Sequence, residues 1–192
     1  MITVRQMNED ERGRVGIFVQ NIMREQYGCD AYALPRVVFS AWRDDELVGA
    51  MGLSMSDGAP FSLEKSYALD YRTFPEVFDR TKIVELGRWS VTVPHVSEAL
   101  MCVAICYALQ NRREWGIGEI KPQVARRFAR MGIAVTALHG EPILDAIPEG
   151  VRPYYLLPPR PSPHVIMLAD ARAVLCKRVK EGTSGDVSVI CP

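Results

Sequence analysis

The order of elements read along the chain predicts an α/β protein built on one mixed sheet with helices on both faces. Three observations predict it. Two strand-like runs, Val37–Arg43 and Leu47–Met55, flank Asp44-Asp45-Glu46 and read as an antiparallel hairpin. Later segments alternate strand and helix, an order that asks for parallel neighbours in the same sheet. Between the two regions lies Thr81–Val93, an apolar strand with charged residues at its centre, leading straight into a long apolar helix. At 192 residues the chain suffices for one well-buried core. A single domain over residues 1–180 is expected, with a frayed tail over 181–192.

Each element has a local reason. Ile2–Gln6 alternates as a short strand. Asn8-Glu9-Asp10-Glu11 then supplies an N-cap and first-turn acids. Val15, Phe18, Val19, Ile22, Met23 and Tyr27 recur at helical spacing up to Gly28, a natural stop. Asp57-Gly58-Ala59-Pro60 marks a turn, and Ser62–Tyr67 a short helix. Residues 68–80 show no clear period and are expected to cover a pocket. Val96–Trp115 is the longest helix, and Gly116–Ile120 a strand closed by Pro122. Val124–Met131 is amphipathic, with Arg126, Arg127 and Arg130 outward and Gly132 as its cap. Ile133–Leu138 reads as a strand, residues 148–163 as irregular and proline-rich, Val165–Leu168 as a last strand and Asp170–Lys180 as a last helix.

Bulk properties narrow the function. Lys plus Arg and Asp plus Glu each number 23, so the formal charge is zero. That argues against a general polyanion binder such as a nucleic-acid protein. No charged n-region precedes an apolar stretch at the N-terminus, and no apolar run approaches the roughly 18 residues of a membrane span. Five cysteines at irregular spacing fit a reducing compartment, and a cytoplasmic protein is expected. Cys102 and Cys106 lie four apart inside an apolar stretch. With no further ligand near in sequence they read as core residues, and no metal is expected.

The chemistry-bearing segment is Val84-Glu85-Leu86-Gly87-Arg88-Trp89-Ser90-Val91. In a regular strand Glu85 and Arg88, three apart, point to opposite faces. A bulge at Gly87 would bring them together. A carboxylate and a guanidinium at mid-strand require each other or a ligand. Two readings stand: a buried ion pair that fixes the register, or a working pair at a site. His95 is the one histidine next to this strand.

Glu85-x-x-Arg88 followed by Trp89, on the strand before a long apolar helix, resembles the acyl-homoserine-lactone synthases, which carry a Glu-Ser-Ser-Arg-Phe type motif here. Tyr27-Gly28, Pro35, the hairpin, Pro60-Phe61-Ser62-Leu63-Glu64-Lys65 and the Val-Glu-Leu-Gly strand resemble the thermostable-hemolysin family, another GNAT-like group. The similarities run from about Val15 to Glu141. They imply a GNAT-like acyl-CoA N-acyltransferase fold of three layers, α/β/α.

The implied activity is transfer of an acyl group from a thioester, acyl-CoA or the phosphopantetheine of an acyl carrier protein, to a small amine or amino-acid derivative. Glu85 would match the acid near the acceptor amine, and Arg88 the arginine that orients it. Backbone amides around Trp89, Ser90, Val91 and Val93 would polarise the thioester carbonyl. The helix start at His95, Val96 and Ser97 would meet the donor's phosphate. Arg14 and Phe18 reproduce the Arg-x-x-x-Phe spacing that helps hold the acceptor, although Arg24 stands where the synthases carry tryptophan. Thr92–Ser97 replaces the usual Gln/Arg-x-x-Gly-x-Gly/Ala pyrophosphate loop of acetyltransferases. Two alternatives remain: a CoA-dependent acetyltransferase on a large acceptor, and a GNAT-fold interaction module in which Glu85 and Arg88 are structural.

Overall fold

The computed structural model describes residues 1–56, 58–70, 72, 79–93, 96–182 and 187–189. In chain order the strands are β1 (Ile2–Gln6), β2 (Val37–Arg43), β3 (Glu46–Met55), β4 (Tyr67–Asp70), β5 (Ile83–Val91), β6 (Trp115–Ile120), β7 (Thr136–Ala137), β8 (His139–Pro142), β9 (Ser162–Met167) and β10 (Val187–Val189). The helices are α1 (Arg12–Tyr27), α2 (Ser62–Ser66), α3 (Val96–Gln110), α4 (Pro122–Met131), α5 (Arg152–Leu156) and α6 (Leu168–Gly182). Among the described residues no helix is long and apolar enough to cross a membrane.

Eight strands form one mixed sheet in the order β10-β1-β2-β3-β5-β6-β9-β7. The β2–β3 hairpin pairs antiparallel, as its turn residues predict, with Asp44 at φ 52. The pairs β1–β10 and β5–β6 are parallel. The alternation of β2 sorts its side chains between two cores. Val37, Phe39 and Ala41 face a large cluster built with α3 and α6, while Val38 and Trp42 face α1. A third cluster joins Ile83, Ile117 and Val165 to Phe61, Leu63 and Tyr155. Helices therefore cover both faces. α3 is the deepest, with Val96, Leu100, Val103, Ala104, Ile105 and Ala108 buried.

Gly28 and Gly132 end α1 and α4 in the left-handed conformation, at φ 61 and φ 83. Several expectations are corrected. Glu9–Glu11 forms a short 3-10 turn, and the helix proper begins at Arg12. α3 stops at Gln110, five residues before Trp115, which opens β6. Residues 133–138 yield only the two-residue β7, which pairs with the edge of β9 opposite to β6, at Val165 and His164. Tyr67, expected to end the short helix, and Ala68–Asp70, read as aperiodic, form a strand that pairs with His139–Pro142 in a separate two-stranded sheet. Residues 71 and 73–78 of the segment expected to cover a pocket lie outside the described residues. The proline-rich stretch contains α5, started by Pro153 in its first turn. Within the tail, Val187–Val189 adds a parallel strand beside β1 instead of fraying.

β5 and β6 hold the feature that positions the site. Their register runs only from Ile83↔Trp115 to Glu85↔Ile117, although both strands continue. At the last point of contact an added Cβ on Gly118 would stand 2.8 Å from the Leu86 carbonyl oxygen, a backbone atom that cannot step aside. Gly118→Ala should therefore force the two strands apart where their ladder ends. A loss of about 1–3 kcal/mol is expected, read from the urea midpoint.

Candidate functional site

The ladder between β3 and β5 slips once. Ala50 pairs with Ser90 and Gly52 with Gly87, so two steps on β3 oppose three on β5. Arg88 and Trp89 together face Met51, which is a bulge. Arg88 takes φ 55. The expected bulge is present, but the left-handed residue is the arginine rather than Gly87. Gly52 supplies the space: a Cβ there would lie 2.5 Å from the Pro35 ring and 3.4 Å from Arg88 Cγ.

The slip changes which way side chains point. Val84 and Leu86 pack in the α3 cluster before it, and Trp89 and Val91 after it. Arg88 thus emerges on the same side as Glu85, and both line one cavity of ≈ 150 Å³. Trp89 and Ser90 line it too. Beyond Trp89 the cavity continues between Met101 of α3 and Val124 and Phe128 of α4. Trp89 stacks on Phe128 with ring centroids 5.6 Å apart, and its buried indole Nε1 has no hydrogen-bond acceptor among the described residues.

Glu85 and Arg88 are not ion-paired to each other among the described residues. The Glu85 carboxylate instead accepts from the backbone N–H groups of Ser62 and Leu63, each at 2.9 Å, at the start of α2. Burial raises the Glu85 pKa, opposed by the Ser62 amide, the Arg88 charge and the Leu63 amide. Arg88 donates from Nε to the Ala33 carbonyl at 3.2 Å and lies over the Tyr32 ring at 5.0 Å. A register-fixing ion pair is therefore not what these residues form.

Other expected residues fall elsewhere. Arg14 lies over the Trp42 ring at 4.6 Å and donates to the Asp45 carbonyl. Phe18 packs against the cluster of Val15, Val19 and Trp42. Neither lines the cavity; α1 contributes Val19, Met23 and Tyr27, further along the helix. Val91 pairs with Gly49, Val93 packs on the α3 cluster, and Val96 is buried against the position of Gly49. Ser97 is buried, and its Oγ has no partner among the described residues. His95 lies outside the described residues. On α4, Arg126 and Arg130 are exposed as expected, while Arg127 lies 3.8 Å from Glu98.

Two charged residues of the cavity were not anticipated. Glu119 accepts from the Tyr155 hydroxyl at 2.9 Å, and Tyr155 in turn lies 3.5 Å from the Tyr32 hydroxyl. Although Glu119 lines the cavity, its Oε2 is closed off from bulk water and has no partner among the described residues. Burial pushes its carboxyl up to about 7; the Tyr155 bond opposes this, and the Glu85 charge adds to it. Lys121 is buried, donating to the carbonyls of Pro159 at 2.9 Å and Tyr154 at 3.3 Å between the rings of Tyr27 and Tyr154. The available signal for Glu119 was alternation with Ile117 on β6, which puts an acid on an apolar face.

The thermostable-hemolysin family model matches residues 5–143. The chain belongs to the thermostable-hemolysin family. Among curated proteins none matches by sequence. Three solved structures illustrate the fold. TofI, in a ternary complex with an inhibitor and MTA, is 17% identical with a TM-score of 0.60, covering 91% of this chain and 96% of that one. BjaI, a CoA-dependent acyl-homoserine-lactone synthase with SAM and isopentyl-CoA, is 16% identical with a TM-score of 0.57, covering 100% and 94%. FeeM, an N-acyl amino acid synthase from uncultured soil microbes, is 12% identical with a TM-score of 0.58, covering 90% and 94%. This family member therefore has the GNAT-like fold of those proteins.

The raised pKa of Glu119 has a defined sign. A carboxyl that holds its proton more tightly in the fold contributes stability that is fully present below the ordinary carboxylate range. That contribution is lost as pH rises through about 7. Glu119→Gln should abolish this loss. The variant should gain on the parent by up to about 3 kcal/mol between about pH 5 and about pH 8, read from paired melting curves.

Proposed function

We propose that this protein is an N-acyltransferase that moves an acyl group from a thioester to a small amine or amino-acid derivative, in the manner of an autoinducer synthase. One observation carries the reading. A carboxylate and a guanidinium, brought to one side by a bulge, line an apolar cavity that continues past Trp89 between the sheet and two helices. A cavity of that shape suits an acyl chain longer than acetyl and argues against the acetyltransferase alternative. The donor is acyl-CoA or the phosphopantetheine arm of an acyl carrier protein, entering where β5 and β6 cease to pair.

In the proposed reaction the acceptor nitrogen attacks the thioester carbonyl carbon. The new C–N bond forms, the C–S bond breaks, and the thiolate leaves with a proton. Glu85 takes the proton lost by the amine, directly or through water. Its two α2 amides fix the carboxylate while leaving lone pairs for that proton. Arg88 is the positioning residue for the acid and the acceptor. The bulge leaves one of its two residues outside the ladder, providing an amide to polarise the carbonyl. Tyr27 and Tyr32, which line the cavity, would take the acceptor-holding role expected of Arg14 and Phe18.

Native mass spectrometry with acyl-CoA and acyl-carrier donors, followed by thiol release on adding amine acceptors, tests this. A donor should be retained and turned over. Glu85→Gln should still retain it but release thiol about 10²- to 10⁴-fold more slowly. Unchanged turnover in a folded Glu85→Gln variant would remove Glu85 as the base. A folded parent that neither retains donor nor releases thiol would leave the interaction-module reading standing.

A further inference from the structure

A second constellation lies outside the cavity, in the seam between α3 and α6. Cys102 and Cys106 sit one helical turn apart on α3, and Cys176 reaches them from α6. The three sulfurs lie within 4.8 Å of one another, with Cys102 Sγ 3.1 Å from Cys176 Sγ. None of them forms a disulfide. Cys102 is buried, whereas Cys106 and Cys176 are half-buried, so the cluster opens at the rim of the seam. The sequence alone offered the first two as core residues; Cys176, 70 positions past Cys106, supplies the third donor.

We propose that Cys102, Cys106 and Cys176 form a binding site for a thiophilic d¹⁰ cation such as Zn²⁺, Cd²⁺ or Cu⁺. The donor set selects the ion class, because three sulfurs without an oxygen or nitrogen ligand favour soft metals over magnesium or calcium. The spacing also suits it. Metal–sulfur bonds of about 2.3 Å hold three sulfurs around one ion about 4 Å apart. The Cys102–Cys176 pair opens by under about 1 Å to accept it, within reach of small χ1 adjustments. Binding exchanges three S–H bonds for three metal–sulfur bonds, and the protons go to solvent; no oxidant is involved. A divalent ion completes its shell with solvent from the open rim. The ion would cross-link α6 to α3, the helix whose Met101 lines the cavity.

The test titrates Cd²⁺ into the reduced, metal-free protein and follows the ultraviolet thiolate-to-cadmium band. One ion per chain should saturate it, and the melting temperature should rise with it. Cys176→Ser and Cys106→Ser should each weaken binding by at least about tenfold, while Cys29→Ser should not. Cys106 occupies a half-buried position, so its serine variant is the control if Cys176→Ser fails to fold. Absence of the band overturns the site. So does a band that survives both serine variants, or a Cys102–Cys176 disulfide in a protein that takes up no ion once reduced.

Discussion

A single-residue change of phase in β5 governs this molecule. Without it, strict alternation would send Arg88 to the side of Val84 and Leu86, into the α3 core, and leave Glu85 alone on the other. Burying an unpaired guanidinium there would cost several kcal/mol. The left-handed conformation that avoids it costs a non-glycine residue about 1–3 kcal/mol. The strain is the smaller term, and the surroundings hold it in place. The Ala33 carbonyl and the Tyr32 ring anchor the side chain, while Gly52 and Pro35 leave the only width that Arg88 Cγ fills. The meeting of Arg88 with Glu85 in one cavity and the position of Trp89 both follow from that shift.

On this frame the two carboxyl groups have different settings. Glu85 accepts from two backbone amides and shares a cavity wall with Arg88, and these only partly offset the burial that raises its pKa. Glu119 has one hydroxyl partner and an orphan oxygen, which favours its neutral form. Burial thus raises both neighbouring carboxyl groups, Glu119 as far as about 7, a direction that suits proton transfer near neutral pH. Lys121 balances the charge from the opposite side, and two tyrosine rings shield it.

Local signals made much of this legible. The hairpin, α1 with its Gly28 stop, the short α2, β5 and the basic α4 are written in periodicity and turn chemistry within a few residues. The bulge was readable as well, because Glu85 and Arg88 three apart make little sense in a straight strand. What escaped depends on contacts far apart in sequence. Tyr67–Asp70 has no alternation of its own and becomes a strand only when His139–Pro142 arrives. Val187–Val189 lacks a signal until β1 offers a free edge. Arg14 and Phe18 carry the right spacing, but α1 turns its later residues, Met23 and Tyr27, toward the cavity. Cys176 was hidden for the same reason, since nothing near it in sequence points to Cys102 and Cys106, whereas Glu119 carried a local signal in its alternation with Ile117.

The stacked pair of Trp89 and Phe128 has a further consequence. Its indole lies in the cavity wall with the N–H unsatisfied, whereas Trp42 and Trp115 pack in other clusters and do not line that space. An occupant reaching the inner end would alter the dielectric and hydrogen bonding around one fluorophore of the three. The fold thus contains its own optical gauge of filling, readable from intrinsic emission without a dye or a label.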